Sequence, residues 1–160
     1  MRRLNLWPWQ SLREATLQKL RHNSPASRWF PGLQGLVWPV SRWSIPYIDL
    51  FFSPHLRNIS IFLSWSGGSE IPCDVLPAIA SAISALPTSA LRCLRVVDNH
   101  TASWVGLEDS LSCLVLRCGP SLTMFSSSIP LSNAAMNHLM QLPALCMWYV
   151  RCPPPTYFSL

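Results

Sequence analysis

The side chains able to do chemistry are few and widely spaced. The carboxylates are Glu14, Asp49, Glu70, Asp74, Asp98, Glu108 and Asp109, and only Glu108 and Asp109 are adjacent. That pair falls at the start of a predicted helix, where the positive end of the helix dipole favours acidic residues without any catalytic role. The histidines at 22, 55, 100 and 138 show no HExxH or other paired spacing, so two imidazoles are not placed on one face to hold a metal. Cysteines occur at 73, 93, 113, 118, 146 and 152 with no CxxC among them, which removes the zinc-site pattern. Residues 64–69, SWSGGS, are the most glycine-rich segment. They lack the lysine and the strand-to-helix context of a phosphate loop, and no serine stands in a GxSxG setting. The expectation is a non-enzyme with no cofactor and no metal. A hydrolase with an unrecognised site is the third reading, and it requires a pocket joining distant carboxylates or histidines.

The elements around these residues follow from composition and period. Apolar residues make up 49% of the 160 and charged residues 12%, which excludes a chain left unfolded for lack of a core. Fifteen prolines against six glycines exclude a coiled coil or a plain long-helix bundle. The net charge of +5 comes from eleven Arg and one Lys spread from Arg2 to Arg151. A nucleic-acid footprint concentrates on one face with aromatics interleaved, so nucleic acid is not the expected partner. It remains the alternative reading, a basic nucleic-acid-associated domain with Arg13, Lys19, Arg21 and Arg28 on one face. Several cysteines have apolar neighbours, Cys93 and Cys146 among them, and read as small buried hydrophobes in a reducing compartment. The apolar run at residues 4–9 is too short for a secretory leader, and the weakly polar stretch 75–91 carries two prolines. Neither a signal peptide nor a membrane span is expected, and the location is cytoplasmic or nuclear.

The chain repeats. A leucine followed by apolar residues three and five positions on occurs as Leu33-Leu36-Trp38, Leu56-Ile59-Ile61, Leu91-Leu94-Val96, Leu122-Phe125-Ser127 and Leu145-Trp148-Val150, the fourth being imperfect at Ser127. Pro31, Pro54, Pro120 and Pro143 stand two residues before the leucine in four units, and Pro87 stands four before it in the other. Successive units are offset by 23, 35, 31 and 23 residues. The alternating pair places two side chains on one face of a short strand, the leucine tucks in as the chain turns, and the proline ends the preceding helix.

Helical spacing lies between the strands. A first helix is expected from about Pro8 to Leu20, with Leu12, Leu17 and Leu20, and a turn capped by Ser44 carries Pro46, Ile48 and Phe51. Asp74 caps a helix with Val75, Leu76, Ile79, Ile83 and Leu86 on one face. Another runs from Leu107 with Leu111, Leu114, Val115 and Cys118, and the last is capped by Ser132 with Ala135, Leu139 and Leu142. Helices alternating with short strands at these offsets demand parallel strands joined by right-handed crossovers. Two architectures meet that demand, a solenoid of stacked units and a doubly wound sheet; no Gly-rich phosphate turn supports the second.

The signature Leu-x-x-Φ-x-Φ resembles the leucine-rich-repeat pattern. The segments SPHLRNI, ISALPTSAL, VLRCGPSL and HLMQLPAL, closed by Pro153-Pro154-Pro155, are similar to the C-terminal region of the fungal F-box and leucine-rich-repeat-like proteins over about residues 28–157. That resemblance implies an α/β leucine-rich-repeat-like solenoid, with short parallel strands on the concave face and helices on the convex face. It also implies the substrate-binding repeat region of a cullin-RING ubiquitin-ligase receptor. The opening MRRLNLWPWQSLREATLQKL does not read as an F-box, so docking to the ligase adaptor is not expected. Relatives continue with further repeats beyond the triple proline, and the chain is expected to be a truncated or degenerate member. The organisation expected is an N-terminal helix or extension at 1–27, a solenoid of about five units at 28–152, and a Pro-rich tail at 153–160.

What the pattern leaves for function is the strand face turned away from the core. Its positions are Gly35, Val37 and Pro39; Asn58, Ser60 and Phe62; Cys93, Arg95 and Val97; Met124, Ser126 and Ser128; Met147, Tyr149 and Arg151. Aromatic, Met and Arg side chains among small polar ones suit a protein partner. The candidate partner-binding residues are Asn58, Phe62, Arg95, Val97, Met124, Met147, Tyr149 and Arg151.

Overall fold

The computed structural model describes residues 3–6, 14–23, 30–41, 44–63, 75–98 and 106–150. The strands are β1 (Arg3–Asn5), β2 (Gly35–Val40), β3 (Asn58–Leu63), β4 (Cys93–Asp98), β5 (Met124–Ser127) and β6 (Met147–Val150). They pair in parallel in one sheet, in chain order from β1 to β6. Between them lie helix α1 (Glu14–Asn23), a 3-10 helix (Ile45–Phe51), α2 (Val75–Ser84), α3 (Leu107–Leu116) and α4 (Asn133–Gln141). Parallel neighbours require a crossover, and crossovers of one hand that advance steadily along a sheet keep their helices on one face. The helices accordingly touch in chain order, α1 on the 3-10 helix, that helix on α2, α2 on α3 and α3 on α4.

Register stacks the repeat into layers. Leu4, Leu36, Ile59, Leu94 and Phe125 are neighbours across five strands and none is more than 1% exposed. Trp38, Ile61, Val96 and Ser127 form the next layer, equally buried. Ser127 fits among apolar residues because its hydroxyl donates to the Ile129 carbonyl at 2.7 Å and accepts from the Ile129 N–H at 3.0 Å. A buried hydroxyl so paired avoids the cost of an unmade hydrogen bond. The indole N–H of Trp38 is met in the same way by Ser44 Oγ at 3.0 Å. Ser44 stands at the N-cap of the 3-10 helix but makes no side-chain cap there; its hydroxyl instead donates to the Pro39 carbonyl at 3.0 Å.

The Pro-x-Leu element has a sharper role than stopping a helix. In every unit the N–H of the leading leucine bonds the carbonyl three residues earlier: Leu33 to Phe30, Leu56 to Ser53, Leu91 to Thr88, Leu122 to Gly119 and Leu145 to Leu142. Each bond closes a four-residue turn whose second position is Pro31, Pro54, Ser89, Pro120 or Pro143. Proline suits that position because its ring presets the backbone angle and it has no N–H to satisfy. The carbonyl just before the next strand then accepts two N–H groups from the following unit. Gln34 takes those of Arg57 and Asn58, Arg57 those of Arg92 and Cys93, and Arg92 those of Thr123 and Met124.

The helices bury the expected stripes. Val75, Ile79 and Ile83 face the core from α2, and Leu107, Leu111, Leu114 and Val115 from α3. Gly106 precedes α3 with φ +98°, a backbone region open to glycine. Ser132 caps α4 by accepting from the Ala135 N–H at 3.3 Å, while Asp74 lies outside the described residues.

Three expectations are corrected. Residues 3–5, left by the expected organisation in an N-terminal helix or extension outside the repeat, are a strand, and Leu4, Leu6 and Leu17 join the common core. Helix α1 is described from Glu14 to Asn23, past Leu20; residues 8–13 lie outside the described set. Leu145 and Trp148 are not core residues: Leu145 is half-buried and Trp148 is 46% exposed, because among the described residues no helix follows β6 to cover its flank. No helix among the described residues is long and apolar enough to cross a membrane.

Candidate interaction face of the sheet

The strand face opposite the helices carries the candidate residues in three register rows. Asn58, Cys93, Met124 and Met147 form the first, and Ser60, Arg95, Ser126 and Tyr149 the second. Pro39, Phe62 and Val97 form the third. Neighbouring strands lie about 4.8 Å apart, so Asn58 to Met147 spans about 14 Å and Arg95 to Tyr149 about 10 Å. Seven of the eight candidate residues therefore belong to one continuous surface; Arg151 lies outside the described residues. Met124, Met147 and Tyr149 are 37%, 59% and 60% exposed. Asn58 and Arg95 are exposed, and Phe62 and Val97 half-buried.

Two positions expected to face outward are covered. Gly35 is buried beside Arg3, whose Cγ would stand 3.1 Å from a Cβ added at Gly35, so the lack of a side chain there permits the close approach of β1. Pro39, next to Phe62 in register, is buried as well.

The cysteines divide by face. Cys93, Cys113, Cys118 and Cys146 are free thiols. Of these four only Cys118 is a buried hydrophobe; Cys93 and Cys146, expected to be buried, are half-buried and exposed, and Cys113 is exposed. At Cys93 the apolar neighbour Leu94 misled, because on a strand it points to the opposite face. Burial pushes the Cys118 thiol up from its ordinary 9.0 to about 11, and the charge of Arg117 only partly offsets this. Cys93 Sγ lies 3.6 Å from Met124 Sδ, a contact between adjacent strands. Sequence alone showed both residues facing outward but not that they meet.

On the helix side the basic residues serve the backbone. Arg117 donates to the carbonyls of Ser84 and Leu86, closing the end of α2. Arg21 donates to the Pro46 carbonyl at 3.0 Å and lies 3.7 Å from Asp49. His138 Nε2 lies 3.0 Å from the Cys118 carbonyl, and a carbonyl can only accept, so the proton sits on Nε2. Of the four basic residues the nucleic-acid reading requires, Lys19 and Arg21 are exposed on α1, and Arg13 and Arg28 lie outside the described residues. An open groove of about 400 Å³ runs between the 3-10 helix and α2, lined mainly by Ile45, Ile48, Phe52, Ala78 and Ala82 with Arg21 and Asp49 among them. It holds one carboxylate and no histidine. Among the described residues no three His, Cys, Asp or Glu side chains are grouped to hold a metal. Compared with protein families, with curated proteins and with solved structures, the chain matches none.

Proposed function

We propose that this protein is a non-enzymatic protein-interaction module, a leucine-rich-repeat-like solenoid that binds a polypeptide across the uncovered face of its sheet. The reading takes it as akin to the substrate-binding repeat region of F-box receptors of cullin-RING ubiquitin ligases, acting in the cytoplasm or nucleus. The observation that carries it is the register, which gathers Asn58, Phe62, Arg95, Val97, Met124, Met147 and Tyr149 on a face that no described helix covers. Aromatic, Met and Arg side chains are enriched at the centres of protein interfaces. A parallel sheet normally has both faces covered, so one left open with large side chains is suited to receiving a partner.

The test is capture of partners from cell extract by the wild type and by a Phe62→Ala, Arg95→Ala, Tyr149→Ala triple variant, with circular dichroism confirming that both are folded. A Leu116→Ser, Met140→Ser variant controls for exposed apolar residues on the helices. Losing three anchor residues is expected to weaken a partner by about 100-fold or more, and the helix variant is expected to retain it. Identical partner sets for wild type and triple variant would remove the proposal. Capture that vanishes with salt and nuclease treatment would favour the nucleic-acid reading instead.

A further inference from the structure

We infer that the rim of the open sheet face where the strands begin, carrying Arg3, Arg57, Arg92 and Arg95, binds an acidic segment of a polypeptide whose neighbouring apolar residues lie on Met124, Met147 and Tyr149. The four arginines are far apart in sequence and meet through the strand order. Arg57 and Arg92 hold the same place in successive units, the Arg92 N–H donating to the Arg57 carbonyl at 2.7 Å, and Arg95 follows in β4. Arg3 is in register with Gly35, and Gly35 with Asn58, which places it about 10 Å from β3. Its stem crosses toward β2, since a Cβ added at Gly35 would stand 3.1 Å from Arg3 Cγ and 3.8 Å from Arg3 Cα. All four arginines are exposed.

Stability does not explain the grouping. Like charges side by side on adjacent strands repel, and the ion pair among the described residues, Arg21 with Asp49, involves none of the four. The other described carboxylates stand where the strands end. Asp98 closes β4, about 17 Å from Cys93, while Glu14 opens α1 and Glu108 and Asp109 lie in the first turn of α3, the helices that follow β1 and β4. A ligand bearing several carboxylates or phosphates relieves the repulsion, and the planar fork of Arg grips either group through paired hydrogen bonds. What lies beside the arginines decides between them. The rows that hold Cys93 and Arg95 run on into Met124, Met147 and Tyr149. A nucleic-acid strand needs a basic track along its length with aromatics interleaved, whereas on this face, among the described residues, the arginines stop at β4 and the large apolar side chains continue to β6. Carboxylates and apolar side chains on one backbone belong to a polypeptide. Arg95 and Tyr149 are two strands apart, about 10 Å, which an extended chain covers in about three residues. The motif expected is a run of Asp or Glu with an aromatic or aliphatic residue about three positions away.

This inference rests on the protein-binding reading and names the chemistry of the partner. The test selects short random peptides from a display library on the full chain, as wild type and as an Arg57→Gln, Arg92→Gln, Arg95→Gln variant, with circular dichroism confirming that both are folded. The wild type is expected to enrich peptides that combine Asp or Glu with an apolar residue, and the variant to lose the acidic preference. By fluorescence anisotropy, the most enriched peptide is expected to bind that variant about 30-fold more weakly and an Arg57→Lys, Arg92→Lys, Arg95→Lys variant about threefold more weakly, with Lys19→Gln unchanged. Selected peptides with no excess of Asp or Glu would overturn this inference and leave the protein-binding reading standing, whereas no selection above background on the wild type would overturn both. A single-stranded oligothymidylate that binds more tightly than the peptide, through the same arginines, would overturn it in favour of nucleic acid.

Discussion

The β4 and β6 units share one pattern and end in different environments. Leu91, Leu94 and Val96 are at most 1% exposed, whereas Trp148 is 46% exposed and Leu145 and Val150 are half-buried. The difference is one of neighbours. β4 has a strand on each side, and the helices before and after it in the chain, α2 and α3, pack on each other. β6 is bonded to β5 alone among the described strands. A strand at the edge of the described sheet gains neighbours on one side only, and its side chains are buried less.

The largest effect expected from that contrast is at Leu94. Leu94→Ala leaves a cavity in a filled layer and is expected to cost about 2–5 kcal/mol, read as a lower urea midpoint. A loss below about 1 kcal/mol would mean that the layered packing is wrong.

The next effect contrasts two thiols. Cys118 is buried just after α3, its Sγ donating to the Leu114 carbonyl, and Cys146 is exposed just before β6. The folded protein holds the Cys118 thiol protonated up to about 11, against an ordinary 9.0. Between those values the unfolded chain binds fewer protons, so stability falls as pH rises through the window and is unaffected below it. The loss is on the order of 2 kcal/mol. Urea midpoints across the window for wild type and Cys118→Ala check it, because the other titrating groups are common to both. Equal slopes would refute it.

The smallest effect is at Trp148. Trp148→Ala is expected to cost about 1 kcal/mol or less despite the size of the residue, since half of it is already in water. A cost comparable to that of Leu94→Ala would show that the β6 flank is covered in solution, and the contrast between the two units would fail.

Much of the fold was legible because its signals are local. Alternation assigns the two faces of a strand from a few residues, and the stripes of α2, α3 and α4 follow from helical period. The strand β1 was missed because Leu4-Asn5-Leu6 has the alternating pair without a preceding Pro-x-Leu, the feature that marked the other units. Trp148 was misplaced because the same pattern that identified its strand says nothing of what lies above it. The role of the prolines was only half visible: their spacing was plain, but the turn they occupy is defined by a hydrogen bond between its first and fourth residues.

The sequence by itself determined the phase of the repeat, hence which side chains point to the helices and which away, because both periodicities are properties of the backbone over a few residues. The tertiary structure alone decided which outward residues meet. Units offset by 23 to 35 residues reveal no register until strands pair, and only pairing sets Cys93 against Met124 and Arg95 between Ser60 and Ser126. Burial followed the same rule, since the water removed from Leu94 and left on Trp148 depends on elements that lie far along the chain from either.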